Sequence, residues 1–219
     1  MLIVSLAAAR AEDEPKEDWQ PYFRELAASY RIVPESTPQR PLTLLEPPVL
    51  RWSQPVRGGD DGALYVWLKD GEPAVVGTMF CWPHRDGYRV VVNEFHSLLA
   101  EPLTAFRGEA EAWSPREKGI EWKSFDDAPP PAKTAALRLV QMRRLADRFR
   151  GENLDDSTGQ TWKLRLLRQP LYRFDRSEAA EPKQGSTLDG ALFTLASGTD
   201  PEILVLIAAR TKEDQHQWQ

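Results

Sequence analysis

The segment DGALYVWLKDGEPAVVGTMFCW (Asp61–Trp82) lines up without a gap against DGALFTLASGTDPEILVLIAAR (Asp189–Arg210). Five positions are identical: Asp61/Asp189, Gly62/Gly190, Ala63/Ala191, Leu64/Leu192 and Pro73/Pro201. Tyr65/Phe193, Glu72/Asp200, Val75/Ile203, Val76/Leu204 and Met79/Ile207 are chemically alike. Each copy has two apolar runs flanking a polar turn, which is the pattern of a β-hairpin. Asp70-Gly71 suits a two-residue turn, and turn type with loop length fixes hairpin register. Lys69 should therefore face Glu72, and Leu68 should face Pro73 in a non-hydrogen-bonded pair, where a missing N–H costs nothing. In the second copy Gly198-Thr199 takes the turn and Ser197 faces Asp200.

The repeat marks scaffold, and its differences mark residues that the scaffold does not require. Trp67, Cys81 and Trp82 become Leu195, Ala209 and Arg210 in the second copy, so the hairpin needs neither an indole nor a thiol at those places. Filling core space is the ordinary role of such side chains.

Strands are expected on both sides of the first hairpin, at Val49–Ser53, Tyr88–Ser97 and Ala105–Ala112, with turns at Gly58-Gly59 and Asp86-Gly87. Short connections make successive strands antiparallel neighbours. Upstream, Asp18 is a candidate N-cap, and Trp19, Tyr22, Phe23, Leu26 and Tyr30 recur at helical spacing, predicting a helix over Trp19–Arg31. Prolines from Pro34 to Pro48 predict an extended connection. After Pro129-Pro130-Pro131 a second helix is predicted over Ala132–Arg150, with Ala135, Leu139, Met142, Leu145, Ala146 and Phe149 as its inner stripe. Lys133, Arg138, Arg143, Arg144 and Arg148 then fall on its outer faces, and Gly151 stops it. Trp122–Phe125, Trp162–Leu167 and Leu171–Phe174 read as further strand, and the tail from Thr211 reads as polar. The resulting fold class is α+β: an antiparallel meander of about seven to nine strands with a duplicated hairpin, packed on two helices. Residues 12–219 read as one domain, with no shift of composition to mark a seam.

The segment WKLRLLRQPLYRFD (Trp162–Asp175), continued by the second hairpin to Arg210, resembles uncharacterised bacterial hypothetical proteins, a resemblance that implies no activity.

Composition narrows the function. At 219 residues, 28% charged and 41% hydrophobic, the chain can build a substantial core. A net charge of −5 argues against a dedicated nucleic-acid binder, and no apolar run reaches the length of a membrane span. The opening Met-Leu-Ile-Val-Ser-Leu-Ala-Ala-Ala-Arg-Ala reads as a signal peptide cleaved after Ala11, placing the protein in the periplasm or outside the cell; the alternative is a cytoplasmic protein with an apolar N-terminal strand or helix. A lone cysteine, Cys81, cannot form an intrachain disulfide.

Compact motifs for acyl transfer, nucleotide binding and zinc chemistry are missing, and nothing calls for a metal or a cofactor. The best acid/base pair is Glu94 with His96, two positions apart on one strand face, although alternate polar residues are also what an outer sheet face requires. The turn at Asp86-Gly87 puts His84 beside Tyr88 and His96 beside Val76, roughly 25 Å apart at about 3.3 Å per strand residue, too far to share a metal. Trp82 and His84 in the Cys81–Asp86 loop are candidate ligand contacts, since loops at a sheet rim often carry function. Cys81 and His84, three apart on an extended chain, point to opposite faces. His216, in the polar tail, reads as a mobile solvated side chain.

Between Lys133 and Arg176 eleven Lys and Arg stand against five Asp and Glu, an excess of six. Arg143, Arg144, Lys163 and Arg165 could form an anion-binding surface, or they could be ordinary solubilising charge. The function expected is an exported, non-enzymatic binding or interaction protein whose partner is a protein, a glycan or an anionic surface. The alternative is a small hydrolase-like or isomerase-like enzyme with its acid/base pair in a sheet-lined pocket.

Overall fold

The computed structural model describes residues 2–5, 18–54, 60–154, 159–176, 185–212 and 215–219. The predicted turn at Gly58-Gly59 and the predicted cleavage site after Ala11 lie outside them. Contacts divide the chain into two compact units, Met1–Glu121 and Trp122–Gln219, where composition had marked no boundary. Among the described residues both are mostly antiparallel sheet with one α-helix, as the α+β reading requires. The strands among the described residues are shared by four sheets, not joined in one.

The first unit contains β1 (Leu2–Ser5), α1 (Gln20–Ala28), β2 (Tyr30–Pro34), β3 (Thr43–Gln54), β4 (Asp60–Lys69), β5 (Glu72–Pro83), β6 (Arg89–Ser97), β7 (Leu103–Arg107) and β8 (Ala110–Trp113). Its main sheet runs β1-β6-β5-β4-β3, and β2-β7-β8 form a second, three-stranded sheet. The second unit contains α2 (Ala135–Ala146), β9 (Glu152–Leu154), β10 (Thr161–Lys163), β11 (Arg165–Asp175), β12 (Thr187–Ser197), β13 (Asp200–Lys212) and β14 (Gln215–Trp218). Its main sheet runs β11-β12-β13-β14, with a small β10-β9 ribbon.

Both repeated hairpins form with the predicted pairs: Lys69 opposite Glu72, Leu68 opposite Pro73, and Ser197 opposite Asp200. Asp70 and Gly71 both take positive φ, 51° and 85°, as a turn matched to strand twist demands. In the second copy only Gly198 does, at 65°. His96 lies opposite Val76.

The duplication is larger than the hairpin. In the first unit β3 pairs with β4 as Leu45↔Val66 and then Leu50↔Leu64, so four residues of β3 pass one of β4. In the second, Leu167↔Thr194 is followed by Tyr172↔Leu192, again four residues against one. A proline, Pro48 or Pro170, sits in the slipped segment of each copy. Beyond the slip, Arg51, Trp52 and Ser53 face Ala63, Gly62 and Asp61, while Arg173, Phe174 and Asp175 face Ala191, Gly190 and Asp189. The glycine of each Asp-Gly has a concrete role. A Cβ on Gly62 would meet the Trp52 ring at 2.1 Å, and one on Gly190 would meet the Phe174 ring at 2.2 Å. Each aromatic ring lies flat against a neighbouring strand where only glycine leaves room.

The helices follow the same plan. α1 buries Phe23, Leu26 and Ala27, and α2 buries Met142, Leu145 and Ala146 at the same spacing. Three such positions within five residues make one narrow apolar stripe, laid on the sheet face carrying Ala63, Tyr65 and Trp67 in the first unit and Ala191, Phe193 and Leu195 in the second. Burying a side chain the size of Phe23 or Met142 contributes about 1.5–3 kcal/mol. Both helices are shorter than predicted. α1 ends at Ala28, where the Ser29 N–H and hydroxyl bond back to Leu26 O; the chain from Tyr30 is strand β2. α2 is capped by Thr134, whose hydroxyl accepts from Leu137 N–H. Ala105–Ala112, read as one strand, is two strands, β7 and β8, with Gly108 at φ 60° in the turn between them. The tail is likewise structured: β14 pairs His216 with Thr211, whose hydroxyl lies 3.2 Å from His216 Nδ1. His216 is therefore held in a sheet and is not a mobile side chain.

Candidate functional site

The aspartate that opens each repeat is buried, and each copy answers that burial differently. Asp189 is 0% exposed. Arg138 Nε donates to it at 2.6 Å, and Arg173 donates through Nη2 at 2.7 Å and Nε at 3.1 Å. The Arg138 guanidinium continues to Asp175 at 3.2 Å and to the backbone carbonyls of Ala132 and Lys133 at 3.3 and 2.9 Å. Arg173 Nη2 also donates to Ala135 O. Arg138, assigned by periodicity to the outside of its helix, is 2% exposed. A cation in the first turn opposes the helix dipole, so its place there is explained by the carboxylates beneath it. The network ties the entry of α2 to the ends of β11 and β12. Hydrogen bonding to Asp189 holds the Arg173 guanidinium above its ordinary pKa, against the opposing effect of burial.

The matching place in the first unit is built from Arg51, Trp52, Ser53 and Asp61. On the shared helical spacing, Trp19, the N-cap residue of α1, stands where Arg138 stands in α2. Trp19 is 8% exposed and carries no charge for Asp61. That charge comes from β6: Arg89 Nη2 lies 3.5 Å from Asp61, with its guanidinium 5.3 Å from the Trp19 ring centre. This contact is looser than the two arginine contacts at Asp189.

With no helix arginine in place, the first unit has an open cleft of about 420 Å³ lined by Asp18, Trp19, Gln20, Arg51, Trp52, Ser53 and Asp61. The Asp18 carboxylate accepts from Gln20 N–H at 3.0 Å, so the expected capping residue acts from one position ahead of the N-cap, which is Trp19. The Gln20 side-chain amide donates to Gly62 O at 3.2 Å, while its Oε1 is out of solvent and has no hydrogen-bond partner. A small ligand in the cleft would meet two indoles, the Gln20 side chain, a hydroxyl, two carboxylates and one guanidinium, a lining that orients polar groups and contains neither histidine nor cysteine.

The residues singled out from sequence lie elsewhere. Glu94 and His96 share one face of β6, opposite Thr78 and Val76, with His96 exposed; neither lines the cleft, nor does Trp82. Trp82 is half-buried and packs beside Phe80, ring centres 5.6 Å apart. His84 stacks on Tyr88 at 4.4 Å, and its Nδ1 accepts from Asp86 N–H, so it organises its own turn. Trp67 and Cys81 are core, at 1% and 0% exposed. Of the basic candidates, Arg143 donates to Arg168 O, Arg165 donates to Gly198 O, Lys163 lies exposed opposite Glu152 on β10, and Arg144 is exposed. Among the described residues no cluster of His, Cys, Asp or Glu has the grouping to hold a metal ion, and no helix is long and apolar enough to cross a membrane.

Periodicity cannot find this cleft, because it joins three short stretches around residues 18–20, 51–53 and 61. The one signal for it was the paired Asp-Gly of the repeat, together with the arginine–aromatic pair that precedes it in both copies. No family model, curated protein or solved structure matches the chain.

Proposed function

We propose that this protein is a non-enzymatic binding protein that holds a small polar molecule in the cleft between the start of α1 and the ends of β3 and β4. The observation that carries this reading is the contrast between the copies: where the second unit has the buried Arg138 guanidinium, the first has the uncharged Trp19, with an open cleft of about 420 Å³ beside it. That volume is within the range of small-molecule sites, and its lining combines aromatic surface with a few polar groups. Export is part of the proposal, supported by the apolar opening and Ala9-Arg10-Ala11. The cytoplasmic reading has its own support, because Leu2–Ser5 pairs with β6 as the outermost strand of the main sheet. The mass of the mature protein separates the two.

The binding reading is tested with a library of small polar metabolites, scored by tryptophan fluorescence and by thermal shift. Saturable hits that change the tryptophan emission and raise the melting temperature, and that vanish when Ser53→Trp fills the cleft, are the expected result. A library without one hit, or hits indifferent to Ser53→Trp, would overturn it.

A further inference from the structure

We infer that the cleft of the first unit receives a guanidinium group, and that the second unit carries a built-in copy of the bound state, with the Arg138 side chain in the role of ligand. This rests on the cleft being a binding site and names the chemistry of what enters it.

The two sites correspond residue by residue: Asp61 with Asp189, Arg51 with Arg173, Trp52 with Phe174, Ser53 with Asp175 and Trp19 with Arg138. In the second unit Asp189 is met by two guanidinium groups at 2.6 and 2.7 Å. In the first unit Asp61 is met by Arg89 at 3.5 Å, and Arg51, the counterpart of Arg173, is exposed. The missing partner is a donor. A guanidinium has five N–H donors and no acceptor, and the cleft offers acceptors to match in the carboxylates of Asp61 and Asp18 and the hydroxyl of Ser53. Arg138 shows how such acceptors are used, giving one N–H to the buried aspartate and others to backbone carbonyls beside the helix start. Trp19 adds an aromatic surface that already lies against one guanidinium, that of Arg89. The ligand is a small guanidino compound such as free arginine or its decarboxylated amine, or an arginine side chain presented by a peptide.

The test is calorimetric titration of the full chain with arginine, agmatine, an acetylated and amidated arginine peptide, and citrulline, which has the shape of arginine without its charge. Saturable binding of a guanidino compound, at least tenfold tighter than citrulline, is the expected result. The peptide arm shows whether the group arrives free or on a chain. Asp61→Asn should weaken binding at least tenfold. Because that variant disturbs a buried carboxylate, a gain-of-affinity variant accompanies it: Ser53→Asp installs the counterpart of Asp175 and should tighten arginine severalfold, as should Arg51→Ala by removing a competing cation. Equal binding of arginine and citrulline, or no gain from Ser53→Asp, would refute the guanidinium assignment. If anionic or neutral compounds from the library bind while guanidino compounds do not, the cleft stands as a site and this assignment falls; if nothing binds, both fall.

Discussion

Replacing Arg138 by methionine is the sharpest perturbation of the second unit. The side chain is 2% exposed and makes an ion pair to Asp189 at 2.6 Å, a contact to Asp175 at 3.2 Å and two hydrogen bonds to backbone carbonyls. Methionine fills much of the space but satisfies none of these acceptors. Removing one partner of a buried ion pair costs about 3–5 kcal/mol, because a carboxylate is left in a low-dielectric site. Arg173 remains on Asp189 at 2.7 Å, which places the expected loss near the lower end, about 3 kcal/mol. For a chain of 219 residues that lowers Tm by roughly 6–12 °C. Urea denaturation followed by circular dichroism, with the Arg138→Lys and Asp189→Asn proteins alongside, is the assay. Lysine keeps the charge but cannot fork to Asp189, Asp175 and the carbonyls together, so it should recover only part of the loss. Arg138→Met combined with Asp189→Leu should be less damaging than the sum of the singles, by about 1–3 kcal/mol. A loss below about 1 kcal/mol for Arg138→Met, or strict additivity, would refute the claim that this network holds α2 to its sheet.

Gly62→Ala and Gly190→Ala put a Cβ within 2.1 and 2.2 Å of the Trp52 and Phe174 rings and should each cost about 1–3 kcal/mol in the same denaturation assay, whereas Gly62→Ala in a Trp52→Ala background should add little. Burial pushes the Tyr65 hydroxyl up to about 12, against the lowering influence of Arg51, so the stability held by its neutral form is complete below about pH 10 and is lost from there towards pH 12. That hydroxyl has no hydrogen-bond partner, so Tyr65→Phe should be neutral or stabilising at pH 7 and should shrink the alkaline loss seen by absorbance-monitored titration. Burial raises the Glu101 carboxyl less than the hydrogen bonds from Lys69 and Ser36 lower it, leaving it below its ordinary value of 4.5. Its contribution is therefore present above about pH 4.5 and lost on acidification through the lower folded value, and Glu101→Gln should remove that acid dependence at a cost of about 1 kcal/mol or less at neutral pH.

Hairpin register was legible in the sequence because strand side chains alternate with period two and Asp70-Gly71 admits one turn. The pairings of Lys69, Leu68, Ser197 and His96 then follow from counting. The third repeated strand was hidden by its connector: residues 53–60 separate Trp52 from Asp61, but residues 175–188 separate Phe174 from Asp189, so an ungapped comparison stops at the hairpin. Strand β2 escaped because Tyr30 continues the spacing of Phe23 and Leu26, which made the end of α1 invisible to periodicity. Arg138 was misplaced for a related reason. A helical pattern sorts residues by polarity, and only a carboxylate brought from another strand can draw an arginine inward. The cleft was unreadable because its walls come from three stretches that only the sheet brings together.

One chain thus holds two castings of one mould, an α-helix laid over three strands with the same slip and the same ring-on-glycine contact. A substitution can be introduced at either offset and compared within a single purification, at one temperature and one salt concentration. Twin positions such as Ser53 and Asp175 are each other's reference state. Doubling also frees one casting from obligation: while the second holds its own arginine inside, the first can change its rim without losing the framework it shares with its twin.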